Sequence, residues 1–140
     1  MSQFVVDASI VLAWCFPDEH SQAAQVVVER FKRGDTAIAP AFWPHEILNA
    51  LLSAERRKRI SSSLTQVFLR DVAALPVALE AINSDTVFDR TQLISRKHGL
   101  AAYDAAYLNL ALVGGLPLAT LDDDLIRAAN QEKVVLVSYL

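Results

Sequence analysis

The chain has a single cysteine, Cys15, among 140 residues. No intrachain disulfide is therefore possible, and a zinc site built on several thiolates is excluded. Histidine is scarce too, at 3, which further weighs against zinc. Only 4 glycines and 5 prolines are present, so short loops are expected. No apolar run approaches the roughly 18 residues needed to cross a membrane. The opening Met1-Ser2-Gln3-Phe4-Val5-Val6-Asp7 lacks the basic stretch of a secretory signal, and its apolar part reads as a strand. Positive charge is not in excess either: 13 basic residues stand against 16 acidic ones, a formal net charge of −3. That excludes a histone-like binder that draws its affinity from global positive charge. It does not exclude a nuclease, because metal ions offset carboxylates locally. A cytoplasmic protein without membrane attachment fits these absences.

What the chain has in plenty is apolar character. Hydrophobic residues make up 53% and charged ones 21%, which predicts a packed core and one domain over residues 1–140. Strand-like runs fall at 4–7, 36–39, 75–79, 118–121 and 134–137; Pro76 makes the third an edge strand or a strand start. Helical patterns fill the gaps. The first covers 8–16 and stops at Pro17. The next covers about 19–33, with Asp18 as cap and Gly34 as its end. Pro44 fits the first turn of a helix running to Lys58. Ser61-Ser62-Ser63 opens another, to Ala74. Ser84 or Asp85 caps one that ends at His98-Gly99. Residues 102–113 form a further helix, and Asp122 or Asp123 starts a last one to Asn130. Alternating strands and helices, with strands that are apolar throughout, predict an α/β fold. Its central sheet is mostly parallel, with helices on both faces. Ligands in such sheets bind beyond the carboxyl ends of the strands, near a switch in strand order.

Asp7 and the Asp122-Asp123-Asp124 run lie at such ends. Glu46 and Asp104 interrupt strongly apolar helical segments. Each acid has a plain structural explanation: Asp7, Asp104 and a member of the Asp122 run can cap helices, and Glu46 suits a helix N-terminus. Brought into one cleft, however, unpaired carboxylates repel, and each resists ionisation. A divalent metal resolves that conflict, and carboxylates with water suit Mg²⁺ or Mn²⁺. Such a site aligns a phosphodiester and activates water for its hydrolysis. Ala8, Ser9, Ala105 and Ala106 are small enough to let a phosphate approach.

The contexts of these acids carry a resemblance. Val5-Val6-Asp7-Ala8-Ser9, Pro44-His45-Glu46-Ile47-Leu48-Asn49-Ala50-Leu51, Leu100-Ala101-Ala102-Tyr103-Asp104-Ala105-Ala106-Tyr107-Leu108 and Pro117-Leu118-Ala119-Thr120-Leu121-Asp122 occur in order across nearly the whole chain. In these pieces the chain resembles the PIN domain and, within it, the VapC toxins of bacterial toxin–antitoxin pairs. The resemblance implies a metal-dependent endoribonuclease acting on RNA. Asp7, Glu46, Asp104 and Asp122 would form the catalytic, metal-holding set, and Ser9 and Thr120 would be the hydroxyls that orient a ligand or water. Asp124 is the alternative fourth acid, and Asp123 is the member of the run expected to face solvent. The resemblance further implies a cognate VapB-like antitoxin and homodimerisation. The helices at about 19–33 and 44–58 and the segment after Ser61 are candidate walls for an antitoxin groove.

Other residues have competing readings. Arg56-Arg57-Lys58-Arg59 either binds RNA phosphate or is a solvated helix end, and Lys97-His98 reads as another such end. His45 is structural, exposed or a ligand donor; His20 has no partner in sequence. Trp14, Phe31, Phe42 and Trp43 pack the core or stack bases. Tyr103 and Tyr107 share a helix face by their i,i+4 spacing. Cys15 reads as a small buried hydrophobe. Three further functions compete with the nuclease. A phospho-accepting receiver needs an Asp after a central strand, but 36–39 is followed by Pro40. A dehalogenase-like phosphatase needs a second Asp that Asp7-Ala8-Ser9 lacks. A non-catalytic PIN-like interaction protein is the other alternative.

Overall fold

Phe4, Val5 and Val6 are all fully buried. Successive strand residues point to opposite faces, so β1 (Gln3–Val6) is covered on both sides. The computed structural model describes residues 2–19 and 21–137. In it β1 pairs in parallel with β2 (Thr36–Pro40) on one side and β4 (Leu118–Ala119) on the other. The parallel edge strand β3 (Val77–Glu80) lies beyond β2, giving the order β3-β2-β1-β4. The expected parallel α/β sheet is therefore present. Its winding reverses at β1, which opens a crevice between the carboxyl ends of β1 and β4.

Three helices lead side chains to that crevice. α1 (Ala8–Cys15) starts directly after β1, with Asp7 as its N-cap. Between it and the next helix, α2 (Gln22–Lys32), runs a 3₁₀ turn at Pro17–Glu19. α3 (Trp43–Arg56) follows β2, with Pro44 in its first turn; its Ile47, Leu51 and Ala54 are buried at helical spacing. α7 (Ala102–Gly114) packs on β1, β2 and β4. Gly99 sets its entry: at φ 66° it adopts the left-handed conformation that ends the preceding helix. The remaining helices are α4 (Ser62–Ala73), α5 (Ser84–Thr86), α6 (Gln92–His98) and α8 (Asp123–Gln131), with a π-helical stretch at Val87–Thr91 joining α5 to α6.

Several boundaries differ from expectation for identifiable reasons. Ser21, not Asp18, caps α2, its hydroxyl accepting from the Ala24 amide at 3.0 Å. Pro17 instead turns Asp18 and Glu19 toward Arg59, which bonds them at 3.0 and 3.2 Å. Asn83, not Ser84 or Asp85, caps α5, accepting from the Asp85 and Thr86 amides at 2.9 and 3.3 Å. β4 is shorter than 118–121 because Thr120 and Leu121 leave the ladder for side-chain bonds near Asp7. The strand expected at 134–137 is reduced to one parallel bridge, Leu118 to Leu136. Its start is used by α8, since the Val134 amide donates to Ala129 at 2.8 Å. Residues 138–140 and His20 lie outside the described residues.

Candidate active site

Asp7 stands where β1 becomes α1, and only 4% of it is exposed. Its Oδ1 accepts from the Ser9 amide at 2.9 Å and from the Ser9 hydroxyl; its Oδ2 accepts from the Thr120 hydroxyl at 2.5 Å. Both hydroxyls are anchored in turn. Ser9 Oγ accepts from the Leu121 amide at 2.9 Å, and Thr120 Oγ1 accepts from the Asp122 amide at 3.0 Å. The start of α1 is thereby fastened to the segment that leaves β4. Asp122 caps α8 by accepting from the Leu125 amide at 2.9 Å.

Glu46 lies in the first turn of α3. It accepts a 2.5 Å hydrogen bond from the hydroxyl of Tyr107, a residue only 1% exposed. Tyr107 lies one helical turn beyond Asp104 on α7, so one helix supplies both a carboxylate and the donor that fixes a second carboxylate. Sequence reasoning missed this role. The signal was present as a tyrosine at i+3 from Asp104, but Tyr107 was compared with Tyr103. The two do share a face, since both rings meet Phe42, but Tyr103 is 60% exposed where Tyr107 is buried.

The acids sense one another. Burial pushes the Asp7 carboxyl up to about 6 against the downward pull of Ser9 and Thr120, and the charge of Asp104 adds to the rise. Asp104 is also pushed up to about 6, by burial first and then by the charges of Asp122, Glu46 and Asp124. Burial raises Glu46 as well, opposed by its bond from Tyr107. The Tyr107 phenol is held far above its ordinary range, by burial and then by Glu46. Asp122 thus acts on Asp104 more strongly than Asp124 does. Asp124 is exposed and bonded by Arg127 at 2.9 Å. Asp123 is exposed.

Other candidates lie apart from the acids. Arg56-Arg57-Lys58-Arg59 closes α3, about 15 Å along the helix from Glu46 at 1.5 Å per residue, and its Arg59 is paired with Asp18 and Glu19. His45 is exposed beside Glu46. His98 departs from its reading as a solvated helix end: its buried ring lies between Gln131 at 2.9 Å and Glu132 at 2.7 Å, tying α6 to the end of α8. Trp43 is in the core, while Trp14 packs partly buried and donates to Ala24 at 3.0 Å. Cys15 is only partly buried.

The parallel sheet, in the order β3-β2-β1-β4, defines the class: an α/β protein with acidic residues near the carboxyl ends of β1 and β4. The profile of the PIN domain family matches residues 4–131, and the chain belongs to that family. It is 31% identical over 123 residues to Ribonuclease VapC3 of Pyrobaculum aerophilum, a match covering 88% of this chain and 92% of that protein. The crystal structure of PAE2754 from Pyrobaculum aerophilum has the same fold, with a TM-score of 0.70 at 22% identity over 99% of this chain and 91% of that one.

Proposed function

We propose that this chain is a Mg²⁺- or Mn²⁺-dependent endoribonuclease that hydrolyses RNA phosphodiester bonds, a toxin held in check by a cognate antitoxin. The observation that carries the reading is the gathering of the acids near the carboxyl ends of β1 and β4: Thr120 ties buried Asp7 to the Asp122 segment, and Tyr107, one turn from Asp104, holds Glu46. Partly buried carboxylates gathered in one place are suited to a divalent cation. The ribonuclease activity named for the VapC3 relative supplies the reaction class.

The donor set fits the ion. It is oxygen-only, as Mg²⁺ and Mn²⁺ prefer. Among the described residues no group of three or more Asp, Glu, His or Cys side chains is placed to hold a metal ion by itself, so these acids would have to reach the ion partly through its waters. Asp7, Glu46, Asp104 and Asp122 would hold it. When bound, the ion would polarise a phosphodiester and make water a better nucleophile. The chain's own residues fix the geometry. Ser9 and Thr120 hold both oxygens of Asp7, while Tyr107 holds Oε1 of Glu46. Glu46 Oε2 is then free to accept from water. Asp122 has the stronger claim to be the fourth acid. Asp122→Asn retains a capping oxygen, yet it should weaken Mn²⁺ binding at least tenfold by calorimetry. Asp124→Asn should change it less than threefold.

Of the walls expected for an antitoxin groove, the segment after Ser61 lines the cavity best suited to that reading, whereas the helices at 19–33 and 44–58 do not. This cavity of about 530 Å³ lies between the end of α1 and α4, lined by Trp14, Phe16, Arg59, Leu64, Val67 and Phe68. Leu64 and Val67 are 60% and 49% exposed. An apolar antitoxin segment would cover them. The same reading includes homodimerisation in a cytoplasmic setting.

The test is cleavage of a mixed RNA panel by partner-free protein in Mg²⁺, Mn²⁺ or EDTA, beside Asp104→Asn prepared identically. Metal-dependent cutting that disappears in the variant is the expected result. Equal cutting by both proteins would remove Asp104 from the site. Metal-bound wild type that cuts nothing in the panel would favour a non-catalytic interaction protein.

A further inference from the structure

We propose that Tyr103 is a stacking platform for the base of a nucleotide next to the scissile phosphodiester. The inference rests on the ribonuclease reading and concerns a part of the substrate that the acids do not hold.

Tyr103 immediately precedes Asp104 on α7 and is 60% exposed. Its ring is nevertheless fixed. Phe42 meets it at 5.1 Å between centroids and 82° between planes. Phe42 is held in the same way by the buried Tyr107, at 5.5 Å and 90°. With 60% of the residue exposed, the ring keeps accessible surface beside this edge contact.

The placement gives this ring a purpose. Phe42 stands at the start of α3, where its carbonyl accepts from the Glu46 amide at 3.1 Å. The Phe42–Tyr103 contact therefore bridges the two helix starts that present Glu46 and Asp104. At its inner end the aromatic series carries the Tyr107 hydroxyl that fixes Glu46. A phosphate at the acids would bring a neighbouring base to this rim.

The chemistry also calls for such a group. The chain carries a net charge of −3, and its densest basic cluster lies at the far end of α3. Phosphate attraction is therefore a weak source of affinity here. Stacking on an aromatic ring binds an unpaired base with little regard to its identity. The platform thus predicts a single-stranded segment or loop as the substrate at this position.

The experiment keeps the acids intact and uses RNAs whose target linkage is a non-hydrolysable phosphonate, so that RNA is bound without being cut. Single-stranded RNAs carry 2-aminopurine at successive positions around the cleaved bond, and binding is followed by fluorescence quenching in Mn²⁺. Quenching at one position flanking the bond is expected. Tyr103→Ala should abolish it and weaken binding about tenfold, whereas Tyr103→Phe should preserve both. If Tyr103→Ala binds and quenches like its parent, the platform is overturned, while metal-dependent cleavage by wild type leaves the ribonuclease reading standing. If wild type cleaves no RNA, that reading fails first and the platform with it. If Tyr103→Ala converts a dimer to a monomer by light scattering with quenching intact, the ring serves contact between copies instead.

Discussion

At pH 7.5 in EDTA, Asp7→Asn should unfold several degrees above wild type, while its RNA cleavage in Mn²⁺ falls at least a hundredfold. Both effects follow from one buried carboxylate. Its pKa rises from 3.8 in the unfolded chain to about 6 in the fold. Between those values the folded state holds the proton more tightly than the unfolded state. Stability is therefore highest below the unfolded value and declines as pH rises through about 6. A shift of that size corresponds to about 3 kcal/mol above the window. Asparagine removes the charge but keeps a carbonyl oxygen for the Ser9 amide and hydroxyl, while its NH2, in place of Oδ2, can donate to the Thr120 hydroxyl oxygen. A net gain of about 1–3 kcal/mol is expected, or roughly 3–10 °C for a chain of this length. Thermal unfolding between pH 4 and 8 reads it directly. The difference should shrink toward zero near pH 4. A variant less stable than wild type at pH 7.5 would show that the Asp7 charge is favourably paired, and the account of the site would be wrong. Activity lost together with stability gained is the signature of a residue kept for chemistry at a cost to the fold.

That conflict is also why the candidate site stood out in the sequence. Asp7 and Asp104 were conspicuous as charges among Val5, Val6, Ala105 and Ala106, where burial penalises them. The parallel sheet was legible from the same signal in reverse, since Phe4-Val5-Val6 and Ala37-Ile38-Ala39 have no polar position to face water. Local chemistry also placed several ends correctly, such as Ser61 before α4 and the left-handed Gly99 after α6. What escaped depends on contacts between distant positions. Tyr107 meets Glu46 across 61 residues, and His98 meets Glu132 across 34; neither pairing leaves a local pattern. The shortening of β4 depends on the distant Ser9 and Asp7, which draw Thr120 and Leu121 out of the ladder. Tyr103 and Tyr107 show the limit of periodicity most clearly. Their i,i+4 spacing brought both rings to Phe42, yet it did not reveal that one is buried and the other exposed.

The metal reading makes the opposite pH prediction to the free protein, and this provides its sharpest test. A cation must find the carboxylates deprotonated, so its benefit grows as pH rises through about 6, where Asp7 and Asp104 ionise. The charges that destabilise the empty fold are those that bind the ion. At pH 7.5, Mn²⁺ at a hundred times its dissociation constant should add about 2.7 kcal/mol, roughly 9 °C in unfolding temperature. At pH 5 the same concentration should add much less. Wild type in EDTA should therefore lose stability from pH 5 to 7.5, whereas wild type in Mn²⁺ should lose less or gain. The double variant Asp7→Asn, Asp104→Asn should start higher in EDTA and gain almost nothing from Mn²⁺. An equal Mn²⁺ gain in the double variant would place the ion elsewhere on the surface. No gain in either protein would leave the acids as strained carboxylates without a cation to relieve them, and the proposed hydrolysis would lose its basis.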